Sequence, residues 1–158
     1  MDRTTRLANV AWESLFRVQA TLALEFESTG NWTGLLPREY GVLYALSKTP
    51  DGLRISELGE DALLSQAGIS RLVTRLVGRG LVERTDDPQD ARACRIRLTD
   101  EGRKIQRDLG ARHARQVAEA MTRALEPEEL AVLSQLTDTL LRACPPITSQ
   151  SHLRKGNR

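Results

Sequence analysis

The amino-acid sequence predicts a mainly α-helical fold with one small β-ribbon. Apolar residues recur every three or four positions over long stretches near both ends of the chain, which is the period of an amphipathic helix. Between them, residues 92–98 alternate apolar and polar side chains, which is the period of a strand. With 158 residues, 40% of them hydrophobic, the chain has the size of one ordinary domain with a substantial core.

Four helices are expected toward the two ends of the chain. The first covers residues 4–27, and Pro37, with Glu39 in its first turn, begins the second, because proline suits a first turn and an acid suits the positive end of the helix dipole. Thr99 and Pro127 begin the two C-terminal helices. The apolar face of the first helix consists of Leu7, Ala11, Leu15, Val18, Leu22 and Phe26. A stripe of this length needs another surface to cover it.

A pair of short helices is expected in the middle of the chain. Ser56 would cap a helix over residues 57–62, and Ser65 would cap a second helix over residues 66–77 that ends at Gly80. Because a short turn joins the two helices, they must cross at a steep angle, as in a helix-turn-helix.

The second of these helices carries side chains suited to contacts with duplex DNA. A helix-turn-helix places the N-terminal part of its second helix in the major groove, where Gln pairs with adenine, Arg with guanine and Ser with either. The predicted contact residues are Ser65, Gln66, Ala67, Gly68, Ser70, Arg71, Thr74 and Arg75, and the face expected to point into the core is Ile69, Leu72, Val73 and Leu76. A solvated polar face is the alternative interpretation of Arg71 and Arg75.

A two-stranded ribbon is expected to follow, with strands over residues 81–85 and 92–98 and a turn-rich loop between them. Asp90 is expected to orient Arg92 toward the minor groove, where negative potential attracts arginine, and Arg95 is the third predicted contact. An ordinary hairpin with a weak local ion pair is the alternative. Residues 65–98 contain seven arginines and four acidic residues, a net charge of +3 against +2 for the whole chain.

With these residues in this order, the sequence resembles the MarR family of winged helix-turn-helix transcription regulators over nearly the whole chain. The matching motifs are LSQAGISRLVTRL at 64–76, GLVER at 80–84, DPQDAR at 87–92 and LTDEG at 98–102. Leu63 departs from the general helix-turn-helix pattern, which often has glycine in the turn.

The resemblance implies a mainly α fold with a small β-ribbon wing, in which a winged helix-turn-helix DNA-binding lobe joins a helical dimerisation layer. The implied function is a homodimeric repressor of a pseudo-palindromic operator in double-stranded DNA, with half-sites about one helical turn apart. The implied divisions are an N-terminal dimerisation helix at 1–36, the DNA-binding lobe at 37–99 and C-terminal dimerisation helices at 100–146. The polar, basic tail at 147–158 is expected to be disordered.

The resemblance also implies a small phenolic or aromatic effector, bound between the dimerisation layer and the lobe. All six aromatic residues lie within the first 44 positions, on the helices that would border such a crevice. The hypothesised effector pocket consists of Trp12, Phe16, Tyr40, Tyr44 and His113. The alternative is that these rings fill the dimer core, which is the commoner role for aromatic residues on apolar helix faces.

Several other function classes have little support. Past Tyr44 the chain has none of the aromatic rings on which single-stranded nucleic-acid modules stack bases. No nucleophile elbow or phosphate loop indicates an enzyme. Cys94 and Cys144 show no metal-ligand spacing with the two histidines, so no metal or cofactor is expected. Redox sensing by Cys94 and an adaptor that contacts protein through its winged lobe remain competing hypotheses.

The sequence favours a cytoplasmic protein with no membrane partner. Two cysteines are too few for the disulfide framework of a small secreted domain. No apolar run has the roughly 20 residues of a membrane span, and no signal peptide is recognisable.

Overall fold

The computed structural model describes residues 1–30, 32–61, 66–88 and 90–144. The helices and strands in these ranges are α1 (Arg3–Thr29), α2 (Pro37–Ser47), β1 (Leu53–Arg54), α3 (Ile55–Asp61), α4 (Gln66–Gly78), β2 (Val82–Asp87), β3 (Asp90–Leu98), α5 (Asp100–Thr122) and α6 (Pro127–Ala143). The predicted mainly helical fold with a small β-ribbon is confirmed. The expected tail at 147–158 lies outside the described residues, as does Leu63.

The strands form one antiparallel sheet in the order β1–β3–β2. The β2–β3 ribbon is longer than predicted, because β2 continues to Asp87 and β3 begins at Asp90. Turn-forming residue types suggested a loop here, but the Asp87 carboxylate is buried and bound by Arg54 and Arg95, which keeps this end of β2 in the sheet. A register shift between Asp86 and Asp87 marks the start of the tip.

The sequence interpretation missed β1, which pairs with β3 over two residues. So short a strand has no alternation to recognise. Because β1 leads directly into α3, the helix begins at Ile55, and the prediction that Ser56 caps it is wrong. The backbone N–H of Arg54 instead donates a hydrogen bond of 2.6 Å to Oε2 of Glu57.

Most of the hydrophobic core lies in the winged lobe, which consists of α2, α3, α4 and the three strands, and Leu109 of α5 packs into it. The fully buried side chains come from every one of its larger elements and include Val42, Leu43, Leu58, Ile69, Val73, Leu76 and Ile96. Three of them are on the face of α4 predicted to point inward, and Leu72 is partly buried against the same core. The prediction for this helix face is therefore confirmed.

The first turn of α5 is hydrogen-bonded to the winged lobe. Oγ1 of Thr99 accepts a 3.0 Å hydrogen bond from the Gly102 N–H and donates one of 2.7 Å to the Gly80 carbonyl, so Thr99 is the predicted N-cap. A Cβ atom on Gly102 would overlap the carbonyl oxygen of Leu81. Glycine is thus what allows this close approach of helix and strand.

The helical layer, formed by α1, α5 and α6, is much less covered. Neither α1 nor α6 buries a single residue within the described chain. Arg123, the C-cap residue of α5, donates to both Oε atoms of Glu25 in α1, at 2.9 and 2.8 Å. The large apolar side chains left exposed are Leu7, Val10, Trp12, Leu15, Phe16, Val18 and Leu24 on α1 and Val132, Leu136, Leu140 and Leu141 on α6.

Among the described residues, none of the helices combines the length and the apolar character that crossing a bilayer requires.

Candidate nucleic-acid interface and adjoining cavity

One face of α4 is open to solvent while the opposite face is fully packed. Arg71, Thr74 and Arg75 are exposed, and Gly68 and Ser70 are half-buried. The Thr74 hydroxyl donates a 2.9 Å hydrogen bond to the Ser70 carbonyl. The structure thus brings five of the predicted contact residues onto one accessible arc.

The remaining predicted residues of this helix are described less fully. Ser65 lies outside the described residues. Gln66 and Ala67 belong to α4, but their side chains are not among the parts that the structure describes. The DNA contacts assigned to all eight residues stay predictions.

A buried acid lies behind the exposed face of α4. Glu39 of α2 is completely buried, and its Oε1 atom is 3.1 Å from Nε of Arg75. Its Oε2 atom is 3.8 Å from an Nη of Arg79, which also donates a 2.8 Å hydrogen bond to the Gly34 carbonyl. The acid on the second helix therefore pairs with two arginines of the α4 segment.

A second buried acid supports the wing. Asp87 accepts from Nε of Arg54 at 2.6 Å and from Nε of Arg95 at 3.2 Å. An Nη of Arg95 donates in turn to the Gly52 carbonyl at 3.0 Å. Hydrogen bonding to Asp87, reinforced by the charge of this carboxylate, raises the pKa of Arg54. The three side chains hold β1, β2 and β3 together at the base of the ribbon tip.

The structure places the predicted wing contacts in different surroundings. Arg95 keeps only 20% of its side-chain surface exposed and is engaged in the network around Asp87. Asp90 is exposed at the start of β3. The Arg92 side chain is not among the parts described. The proposed entry of Arg92 into the minor groove, with Asp90 as its support, remains a prediction, and so does the DNA contact of Arg95.

Four rings surround the junction of α1, α2 and α5. The His113 ring lies 5.2 Å from that of Phe26, 5.4 Å from Trp32 and 5.6 Å from Tyr40, measured between centroids. Tyr44 stacks beside Tyr40 at 6.2 Å. The structure therefore brings together three of the five residues of the hypothesised pocket, which are Tyr40, Tyr44 and His113.

The other two predicted pocket residues lie elsewhere. Trp12 and Phe16 stack on each other at 6.3 Å on the exposed face of α1, and 65% of the Trp12 surface is open. These two rings belong to the uncovered apolar stripe of α1. Their role in an effector pocket is untested and stays a prediction.

A cavity of about 250 Å³ opens next to the ring cluster, between the end of α1 and the middle of α5. Its lining consists of Thr29, Gly30, Trp32, Leu109, Arg112, His113, Arg115, Gln116 and Glu119. Nδ1 of His113 is buried and has no hydrogen-bond partner among the described residues. An aromatic wall, two arginines and an unsatisfied imidazole nitrogen are suited to a small ligand that is both planar and polar.

Burial raises the pKa of Tyr40 in the neighbouring cluster, and the charge of Tyr44 raises it further. A hydrogen bond with Gln106 acts in the opposite direction. Tyr40 is therefore held in its neutral form beside the cavity. No group of three or more metal-ligating side chains occurs in the part of the chain that the structure describes.

Comparison with known proteins identifies the family. Residues 33–93 match the model of the MarR family. The PcaV transcriptional regulator of Streptomyces coelicolor, solved in complex with its natural ligand, is 33% identical, and the alignment covers 90% of this chain and 96% of PcaV with a TM-score of 0.69. The chain belongs to the MarR family. Proteins of this family are transcriptional regulators and not enzymes, which agrees with the prediction from the sequence.

Two further comparisons extend the match. The MarR-family regulator Sco3205 of Streptomyces coelicolor, solved in complex with DNA, is 27% identical over 88% of both chains, with a TM-score of 0.76. The transcriptional regulator HosA of Escherichia coli O111:H- is 35% identical over 83 residues, which are 50% of this MarR-family chain and 61% of HosA. The chain thus spans about three fifths of the length of this curated relative.

The sequence interpretation missed Glu39, Asp87 and Trp32 as site residues. For Glu39 the sequence indicates only a favourable place in the first turn of α2. Its arginine partners lie on α4 and just after it, so nothing in the local sequence indicates the pairing. Asp87 has the composition of a loop, and its partner Arg54 is 33 residues away.

Proposed function

We propose that this MarR-family chain is a homodimeric repressor that recognises a pseudo-palindromic DNA duplex and is released from it by a small aromatic effector. The observation that carries the proposal is the contrast between the two faces of α4. Its inner face is buried to zero exposure at Ile69, Val73 and Leu76, while its outer face carries Arg71, Thr74 and Arg75 open to solvent.

The exposed arc of α4 has the chemistry of a major-groove surface. Arginine pairs with the O6 and N7 atoms of guanine through two N–H groups, and a threonine hydroxyl or methyl group suits other base edges. These side chains project from a helix that the core holds rigidly. A rigid element of this kind supports specific contacts better than a mobile loop does.

The bare apolar faces of α1 and α6 support a dimer. Large contiguous apolar patches are uncommon on monomeric soluble proteins, and they mark interaction sites. A second copy is the occupant that we infer, because a two-fold axis would also duplicate the α4 helix. Two such helices can occupy successive major grooves about one helical turn apart.

Repression follows from occupancy of the promoter. A dimer that binds one side of the duplex with both α4 helices covers the DNA between them. RNA polymerase cannot bind the same segment at the same time. A reporter gene placed behind the recognised duplex tests this part directly. We expect expression to fall when the chain is present, and a rise would indicate activation instead.

Selection of duplexes from a random-sequence pool by the full chain tests sequence recognition. We expect two related half-sites whose centres are roughly 10 base pairs apart. Arg71→Ala should cost about 1–3 kcal/mol of binding free energy and relax the preference at one position of each half-site. Arg17→Ala, which removes the same charge from the exposed surface of α1, is the matched control and should leave the preference unchanged.

Failure of this selection would contradict the proposal. A flat pool, with no sequence enriched over random DNA, favours the adaptor hypothesis in which the winged lobe contacts protein. Affinity that falls steeply with salt for every duplex alike would indicate phosphate contacts without base recognition.

The cavity beside His113 supports the effector part of the proposal. Its volume of about 250 Å³ suits a single-ring compound, Trp32 offers a stacking surface, and Arg112 and Arg115 are suited to a carboxylate. Ligand binding should change the fluorescence of Trp32 in a Trp12→Phe variant, where it is the single tryptophan of the chain. A panel of phenolic and benzoic acids that leaves both the fluorescence and the DNA affinity unchanged would contradict an effector site here.

A further inference from the structure

A fully buried carboxylate supports the exposed face of α4. Glu39 occupies the third position of α2, and its Oε2 atom accepts a 2.8 Å hydrogen bond from the backbone N–H of Leu36. This is one half of a helix-capping arrangement. Its Oε1 atom accepts no well-aligned hydrogen bond within the described residues and lies 3.1 Å from Nε of Arg75.

Capping does not require this burial. The last helix, α6, begins in the same way, with proline at its first position and Glu129 at its third, whose Oε2 atom accepts a 2.9 Å hydrogen bond from the Glu126 N–H. Glu129 does this from the exposed surface, whereas Glu39 is completely buried. A buried carboxylate is costly unless cations and hydrogen bonds compensate it, so the charge of Glu39 needs its arginines.

The two arginines are placed differently. Arg79 joins the α4 end to the loop before α2, because its Nη donates to the Gly34 carbonyl and lies near Oε2 of Glu39. Arg75 approaches the carboxylate with Nε, at 3.1 Å from Oε1, and leaves 56% of its side-chain surface exposed. It shares the open arc of α4 with Arg71 and Thr74.

A guanidinium paired with a buried carboxylate is restricted in orientation. The group is planar and carries its donors in a fixed fork, so an ion pair with Oε1 of Glu39 limits the directions in which the Nη groups can point. The exposed part of the guanidinium can then meet a phosphate or a guanine. The side chain also loses less rotational freedom on binding, because Glu39 has already restricted it.

We infer that Glu39 is a positioning residue for DNA recognition, which acts by holding Arg75 in the orientation that meets the duplex. The inference rests on the proposed role of α4 in DNA binding. It assigns Glu39 a function that its place in the core of the lobe does not reveal, since the residue itself never reaches the DNA.

A double-mutant cycle on the full chain tests the inference with the duplex enriched from the random pool as the probe. Glu39→Gln keeps an acceptor for the Leu36 N–H and removes the charge that holds Arg75. We expect Glu39→Gln and Arg75→Gln each to weaken binding about tenfold, and the double variant to bind no more weakly than Arg75→Gln alone. Repeated selection with each variant should relax the same base positions.

Glu129→Gln is the matched control, because it makes the same change in the capping glutamate of α6. It should bind within about twofold of the original chain. If Glu39→Gln weakens duplex binding by the same factor in the original chain and in the Arg75→Gln variant, the acid acts through the stability of the lobe. This result overturns the inference. Unchanged affinity of Glu39→Gln overturns it as well.

A second variant covers the case in which Glu39→Gln does not fold. Arg75→Lys keeps the charge at a half-exposed position, but lysine lacks the planar fork that can face the acid through one donor and pair with a base through two others. We expect about a tenfold loss of affinity, and full affinity would overturn the inference. If no duplex is enriched at all, the proposed function fails together with the inference. If a duplex is enriched and these variants bind it normally, only the inference fails.

Discussion

The winged lobe and the helical layer bury their apolar side chains to very different degrees. In the lobe, leucine, isoleucine and valine side chains such as Leu43 and Ile69 reach zero exposure. In the layer, α1 and α6 bury nothing, and Leu140 and Leu141 remain 58% and 69% exposed. The lobe completes its core within one chain, whereas the layer has apolar faces that one chain leaves uncovered.

The two regions therefore differ in how their stability depends on protein concentration. Burial of one aliphatic side chain contributes roughly 1.5–3 kcal/mol, so the lobe draws its stability from contacts that are present in every single chain. The faces of α1 and α6 contribute only when another surface covers them. If that surface is a second copy, their contribution grows with protein concentration.

The largest expected effect comes from the core of the lobe. Leu43→Ala removes a side chain with zero exposure and should lower the free energy of unfolding by about 2–5 kcal/mol, because it loses apolar burial and leaves a cavity. Chemical denaturation at two protein concentrations measures it. The loss of unfolding free energy should be the same at both protein concentrations. A loss that disappears at high concentration would contradict the difference between the lobe and the layer.

The next effect concerns the layer. Leu136→Glu combined with Leu140→Glu places two charges on the exposed apolar face of α6 and should convert the proposed dimer into a monomer. With one α4 helix in place of two, affinity for the enriched duplex should fall by about a hundredfold or more. Sedimentation and DNA titration measure the two changes.

A matched pair of charges on the other side of α6 controls for charge alone. Ala131→Glu with Gln135→Glu introduces charges with the same spacing at exposed positions on the opposite side of the helix, and should leave both the dimer and the affinity intact. If the Leu136 and Leu140 variant remains a dimer with normal affinity, the apolar face of α6 is not the interface.

The wing provides a smaller effect within the lobe. Asp87→Asn removes the charge that holds Arg54 and Arg95 at the base of the ribbon. Because both arginines are partly exposed, we expect a loss of about 1–2 kcal/mol in stability, less than for a fully buried pair. Asp86→Asn, at an exposed position one residue earlier, is the control. Equal thermal stability of both variants would contradict a supporting role for the buried acid.

The elements that could be predicted from the sequence are those with local signals. The 3.6-residue period predicts α1, α4, α5 and α6, and Thr99 and Pro127 correctly mark the starts of α5 and α6. The inward face of α4 followed from the same period. These signals need no knowledge of the tertiary structure, since the helix alone determines which side chains share a face.

The parts that could not be predicted depend on contacts between distant residues. Asp87 has the composition of a turn, and its contacts with Arg54, 33 residues earlier, and with Arg95 keep it in a strand. The pairing of Glu39 with Arg75 joins two helices in the same way. Trp12 and Tyr40 are both aromatic residues near the N-terminus, but α1 carries the first to an exposed stripe and α2 carries the second to the ring cluster.

The smallest expected effect lies at the border of the two regions, where Tyr40 of the lobe packs against His113 of the layer. Burial raises the pKa of Tyr40 in the folded chain, so its neutral form stabilises the fold fully below the unfolded value of about 10, and this contribution is lost as the pH rises through the folded value. In a Tyr44→Phe variant, Tyr40 is the single tyrosine. Its phenolate absorbance should appear at higher pH in the folded chain than in denaturant. Coincident titration curves would show that the lobe and the layer leave Tyr40 in contact with water.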